Sequence, residues 1–219
     1  MFRGISLIST NYEFKRTLPN NSEIAADFEF FQQNYAGFRP LEIAVMSQDT
    51  YKVLDHSVAL EIEKLMGYLN TIASIGNLQS SNLPFKILHK AYNLNKSDFM
   101  TFPDDAATFE KYKKDINKLG RQQLNRFVNE DGSMARINGR LQDVGTDSLK
   151  VVYDRIEQYA KTDLDTTKIR VKVTGKSLLL DKNSEYIRSS LLEGLFRDYS
   201  SLGLLWSWYS EILKFSLFH

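Results

Sequence analysis

Between Pro40 and Gly175 the spacing of apolar residues changes from every second position to every third or fourth and back, twice over. This alternation constrains the fold more than any other feature of the chain. Leu41, Ile43 and Val45 alternate with polar or small neighbours and read as a strand. Asp55 or Ser57 then opens a helix whose stripe is Val58, Ile62, Leu65, Met66, Leu69, Ile72 and Ala73, with Glu61, Glu63, Lys64 and Asn70 off it. Gly76 ends that unit, and Asn77 to Leu83 reads as a short strand. The same order returns after the turn signature Asn129-Glu130-Asp131-Gly132. A strand runs from Met134 to Val144 through Met134, Ile137 and Leu141, and Thr146 caps a helix bearing Leu149, Val152, Tyr153, Ile156 and Tyr159. From Lys168 to Thr174 charged and apolar residues alternate almost strictly, as in a strand with one wet face.

Two β-α-β halves in this order make an α+β chain with the ferredoxin-like βαββαβ arrangement, a sheet with helices on one face. From Pro84 to Asn129 the pattern is helical, broken at Asn93-Leu94-Asn95 and Phe102-Pro103-Asp104-Asp105. It falls at the link between the halves, where added helices leave the sheet pairing intact. Ahead of the unit, Ile5 to Phe14 reads as a strand leading to the turn Leu18-Pro19-Asn20-Asn21. Ser22 or Asn21 then caps a helix with Ile24, Ala25, Phe28, Phe31 and Tyr35, stopped by Gly37. The expected organisation is therefore a leading strand and helix over 1–39, a first half over 40–83, a helical insertion over 84–130, a second half over 131–182, and a helix and tail over 183–219.

The 28 Lys and Arg nearly balance the 27 Asp and Glu, so the whole molecule lacks the positive field that binding a phosphate backbone demands. The absence of Cys excludes disulfides, thiolate zinc sites and thiol nucleophiles. The apolar stretch within Met1 to Ile8 is too short for the hydrophobic region of a signal peptide. No run reaches the roughly 20 apolar residues of a membrane-spanning helix.

No catalytic constellation is expected, and the chain is read as not an enzyme, with no cofactor and no metal. Asp55 beside His56 reads as a helix cap rather than half of an acid–base pair, since nothing completes a triad. His56, His89 and His219 are too scattered for a zinc site. Asp104-Asp105 and Asp163-Leu164-Asp165 lack the glycine of a calcium loop and read as caps and solvated turns. The glycines never gather into a phosphate-cradling loop. On the last helix of the insertion, Lys111, Lys113, Lys114, Lys118, Arg121 and Arg126 form either a solvated face or a contact for anionic headgroups or an acidic partner. Phe99, Met100 and Phe102 are either core or an apolar lip for a greasy substrate.

Several strings in sequence carry a resemblance to a known family. They are Asn11-Tyr12-Glu13-Phe14-Lys15-Arg16-Thr17-Leu18-Pro19, Asp27-Phe28-Glu29-Phe30-Phe31, and Gly37-Phe38-Arg39-Pro40-Leu41-Glu42. They continue with Asp131-Gly132, Ala135-Arg136-Ile137-Asn138-Gly139-Arg140 and Asp143-Val144-Gly145-Thr146. The last is Thr174-Gly175 followed by Leu180-Asp181-Lys182-Asn183. Their order and spacing, over about residues 5 to 195, resemble the extracytoplasmic porter loop of bacterial RND-superfamily exporters of the MMPL and sterol-sensing-like kind. The resemblance implies a periplasmic domain that forms part of the path, or the gate, for a lipid or other hydrophobic compound. Its partners would be the remaining transmembrane and porter segments of the same exporter. Proton flow through acidic residues of membrane helices outside this chain would supply the energy. Gly175, Asp181, Lys182 and Asn183 would form the hinge toward the next membrane helix, with the three polar residues capping it.

The tail departs from that pattern. Leu191-Leu192-Glu193-Gly194-Leu195 should continue into an unbroken apolar helix, yet Arg197, Asp198, Glu211 and Lys214 interrupt it among Trp206, Trp208, Tyr209, Ile212, Leu213 and Phe215. The expectation is a truncated or frame-shifted piece of a larger gene whose membrane helix is lost near Phe196. The alternative is a free-standing α+β domain whose sheet face or edge binds a peptide or protein.

Overall fold

A computed structural model of the chain describes residues 13–19, 22–119 and 121–217. The chain divides into two units, Met1–Ser177 and Leu178–His219. The first is an α+β unit built on one four-stranded antiparallel sheet, made of β1 (Arg39–Ser47), β2 (Ile75–Gln79), β3 (Met134–Leu141) and β4 (Ile169–Thr174) in the order β2-β3-β1-β4. Helix α2 (His56–Asn70) joins β1 to β2, and α6 (Thr146–Thr162) joins β3 to β4.

Register fixes which side chains share a face. Val45 pairs with Ala135 and Val171, and Ile43 with Ile137 and Val173. These positions and Leu41, Leu141 and Ile169 make the apolar face, nearly all of it buried. Helices α2 and α6 bury Val58, Ile62, Leu65 and Leu69, and Leu149, Tyr153 and Ile156. The two helices lie side by side, with the rings of Tyr68 and Tyr159 stacked at 3.9 Å. Burial of this face stabilises the fold at about 25 cal/mol per Å² of apolar surface removed from water.

The leading helix α1 (Glu23–Asn34) starts where Ser22 accepts a hydrogen bond from the Ala25 amide at 3.2 Å. Beyond its end, Gly37 has φ +100, and a β-carbon there would lie 2.1 Å from the carbonyl oxygen of Leu141, so only glycine fits. The strand expected over Ile5 to Phe14 lies outside the described residues except for its last two positions, of which Phe14 opens a turn of 3-10 helix, Phe14–Thr17. Asn20 and Asn21 also lie outside them.

Four expectations are corrected. The second strand is Ile75–Gln79 rather than Asn77 to Leu83, because α2 stops at Asn70 and Ser80, Ser81 and Asn82 form a buried turn, with the Asn82 side-chain Nδ2 donating to the Ala59 carbonyl at 2.8 Å. Met134 is exposed, since the inward positions of β3 are Ala135, Ile137 and Leu141. Gly145, with φ +84, caps α6, and Thr146 is its first residue. Glu61 is buried rather than off the stripe. Its carboxylate accepts the Asp165 amide at 3.0 Å and the Lys64 ammonium at 2.7 Å, tying α2 to the turn before β4.

That turn is built on Asp165. Its carboxylate accepts hydrogen bonds from the Lys168 ammonium at 2.8 Å and from the Thr167 hydroxyl and amide, which hold its pKa down to about 2, from an ordinary value of 3.8. A depressed carboxylate stabilises the fold above its unfolded pKa, and that contribution is lost as the pH falls through the folded value. The Asp165 side-chain carbon resonance is therefore expected to titrate near pH 2, with the turn's stabilisation fading between about pH 4 and 2. Titration near 4 would mean that these bonds do not form in solution.

The insertion is helical as expected and comprises α3 (Leu83–Tyr92), a 3-10 turn at Ser97–Phe99, α4 (Ala106–Leu119) and the short α5 (Arg121–Leu124). Leu94 and Asn95, with φ of +60 and +58, form the first break. The insertion has its own apolar cluster of Phe85, Phe102, Phe109, Tyr112, Ile116 and Leu124, which Ala59 of α2 joins. The chain re-enters the sheet through Val128, which bridges Ala135 beside β3.

The second unit is helical. Helix α7, Lys176–Leu217, runs through it, and Leu180, Leu191, Leu195, Phe196, Leu202, Trp206 and Trp208 are exposed along its length. No helix of the described residues is long and apolar enough to cross a membrane.

Candidate functional site

Among the described residues of the first unit, nothing covers the sheet's second face. Across its centre lie Ala44, flanked in register by Arg136 and Lys172, and Met46, flanked by Met134 and Arg170. Glu42 sits between Asn138 and Thr174, and Pro40 pairs with Arg140. The face follows from strand alternation: each residue between two buried ones must point the other way. It carries four cations, Arg136, Arg140, Arg170 and Lys172, against the single carboxylate of Glu42, which lies 3.9 Å from the Arg136 guanidinium. Residues 125–129 stand at its margin and close an open cleft of about 310 Å³ with Ala44, Met134, Arg136 and Thr174. This surface can hold a molecule by charge and hydrogen bonding.

Gly175 is the single residue between β4 and α7. It has φ +99, and a β-carbon there would lie 3.0 to 3.2 Å from the side chain of Glu42. The turn therefore needs positive φ, and glycine is the residue type that adopts it without strain. Asp181, Lys182 and Asn183 do not cap a helix. Helix α7 starts at Lys176, ahead of the Leu178-Leu179-Leu180 triplet, which leaves the three polar residues in its second turn.

Of the insertion's basic residues, Lys111, Lys114 and Lys118 are exposed on one face of α4, whereas Lys113 is partly buried beside Glu110 and Asp55, and Arg126 lies beyond α5 instead of on that helix. The Lys111 ammonium stands 4.3 Å from the centre of the Tyr92 ring. The Tyr92 hydroxyl donates to Asp115 at 2.9 Å, which raises the phenol's pKa. Arg121 opens α5, and its side chain lies outside the described residues. The apolar trio divides. Phe102 is buried in the aromatic cluster and so is withdrawn as a contact residue, Phe99 is half-buried against the His89 ring, and Met100 is exposed.

His56 and His89 serve packing. The His56 ring lies against Phe102 and Phe109, with its Nε2 3.3 Å from the Pro103 carbonyl oxygen. The Nδ1 of His89 lies 3.3 Å from the Tyr112 hydroxyl. Asp55 stands at the N-cap of α2, but its carboxylate accepts the Lys52 amide at 2.7 Å instead of a helix amide. Among the described residues, no group of three or more His, Asp or Glu side chains could hold a metal ion.

Sequence reasoning did not single out the open basic face or the pair Arg39 and Asp143. The Asp143 carboxylate is nearly fully buried, 3.7 Å from the Arg39 guanidinium, and accepts the Lys15 amide at 3.1 Å, which ties the leading segment to the end of β3. The alternation of charge along β4 was the available signal for the basic face. No protein-family model matches the sequence, and no curated protein is significantly similar to it.

Proposed function

We propose that the chain is an extracytoplasmic porter-type domain of a bacterial RND-superfamily exporter, with the ferredoxin-like βαββαβ arrangement, on the path of a lipid or other hydrophobic compound. The observation that carries the reading is the sheet order β2-β3-β1-β4, made of two β-α-β halves with helices inserted between them and followed, after Gly175 alone, by a long helix rich in exposed apolar residues. In this reading the domain sits on the periplasmic side of the inner membrane and has the exporter's other porter and membrane segments as partners. Lys111, Lys114, Lys118 and Met100 are the side that meets headgroups or a partner. The domain binds or gates and does no chemistry, because proton coupling resides in membrane helices.

Gly175 is the junction through which motion of a membrane segment would reach the sheet. Gly175→Val forces a β-branched residue into positive φ at a cost of about 1–3 kcal/mol. In energised membrane vesicles carrying the full exporter, this variant is expected to slow proton-driven extrusion of a fluorescent hydrophobic probe at least about fivefold, with its abundance unchanged. Extrusion at the unsubstituted rate would remove Gly175 as the coupling point. Failure of the unsubstituted exporter to extrude any such probe would count against the transport reading itself.

A further inference from the structure

We propose that the edge of β4, which no strand of the described residues pairs, is a docking site for an extended acidic polypeptide segment, which adds to the sheet as a fifth strand. The Gln48 amide donates to the Lys168 carbonyl at 2.8 Å, which makes that pair a hydrogen-bonded one. By antiparallel alternation, Arg170, Lys172 and Thr174 then bond to β1, while Val171 and Val173 direct their N–H and C=O groups away from the sheet.

The two sheet edges differ. Strand β2 is broken by a register shift between Gly76 and Gln79, with Asn77 at φ +51, and such irregularity blunts an edge. Strand β4 pairs without a shift along its whole length. Beside it, a groove of about 400 Å³ runs between the strand and α6, lined by Ile169, Val171, Ala160, Lys161 and Glu157 among others. An incoming strand would find backbone partners on the edge and an apolar floor for alternate side chains.

Charge selects the occupant. Arg170 and Lys172 flank the edge on the open face, and Lys161 flanks it on the helix side, all exposed and without an ion pair among the described residues. A second copy of this edge would set like charges opposite one another, which is destabilising. Among the described residues the strand positions of the open face include no aromatic residue, and Phe127 at its margin is buried, so a single-stranded nucleic acid would gain little beyond its phosphate contacts there. An acidic segment satisfies both the cations and the edge. The inference holds whether or not the domain belongs to an exporter.

The test uses the full chain in a mild non-ionic detergent and three probes: a short blocked peptide alternating glutamate and valine, the same peptide with lysine for glutamate, and a thymidine homo-oligomer. Expected are saturable binding of the acidic peptide alone, hydrogen-exchange protection confined to Val171, Val173 and their neighbours, and about tenfold weaker binding by the Arg170→Glu, Lys172→Glu double variant. Val171→Pro removes one edge donor at a position where an edge strand tolerates proline, and is expected to abolish binding while circular dichroism is unchanged. Acidic-peptide binding without protection of β4, undiminished binding by folded Val171→Pro, or preference for the oligonucleotide would each overturn the proposal. Should Val171→Pro unfold, the exchange measurement on the unsubstituted chain decides alone.

Discussion

Without detergent, the purified chain is expected to sediment as large, polydisperse assemblies, and with dodecyl maltoside as a single species carrying a bound micelle. The reason lies in α7, where Leu191, Leu195, Phe196, Leu202, Trp206 and Trp208 are all exposed by more than half of their surface. Each such side chain gains about 1.5–3 kcal/mol when fully removed from water. Contact among several copies at a handful of these positions would therefore outweigh the entropy of association. Exposed apolar patches of this extent mark protein or membrane contact surfaces. Replacing Leu195, Leu202 and Trp206 together by glutamate should return the chain to a monomer with no bound detergent. A detergent-free monomer of the unsubstituted chain would mean that α7 is covered in solution by a means internal to one molecule.

Phe109→Ala is expected to lower the unfolding free energy by about 3–5 kcal/mol, measured by denaturant titration. Phe109 is fully buried, stacked on Phe85 at 4.5 Å, and touched by Phe102 and His56 with ring centres at 5.6 and 5.2 Å. Removal of the ring leaves a cavity in a cluster that holds α3 and α4 to α2, so hydrogen exchange should accelerate most in those helices. The loss is a large fraction of a typical domain's 5–15 kcal/mol or so. Met100→Ala, at the exposed position that follows the 3-10 turn Ser97–Phe99, should change stability by less than about 0.5 kcal/mol. Equal effects of the two substitutions would mean that the insertion is not packed around Phe109.

These two positions show what a sequence discloses and what it hides. Phe99, Met100 and Phe102 look alike as letters, and only the packing of α3 against α4 separates the buried Phe102 from the exposed Met100. The strands β1 and β4 were legible because alternation is local, and Ser22 was legible as a cap because its chemistry is. Strand β2 was misplaced because Ile72 and Ala73 continue the apolar period of α2 after the helix itself has stopped. The inward face of β3 was partly misread because small Ala135 marks it less clearly than exposed Met134. Burial of Glu61 could not be foreseen, since its backbone partner Asp165 lies 104 residues away. Asp181, Lys182 and Asn183 resembled a cap because Gly175 and an apolar triplet precede them, but helix propensity carries α7 from Lys176 without a pause. The open basic face needed the pairing of β1 with both β3 and β4, since no one strand holds more than two of its four cations.

Two β-α-β halves, an insertion between them and a glycine junction into an apolar-rich helix are the features on which the porter reading stands. The most direct test is to determine the native genomic sequence on both sides of this reading frame and translate it in every frame. The porter reading expects membrane-length apolar segments, each about 20 residues long, upstream of Ile5 and in a frame joined to the chain near Leu195. Flanking sequence that encodes no such segment in any frame would contradict it, and would leave a free-standing domain whose β4 edge and open basic face are its means of binding.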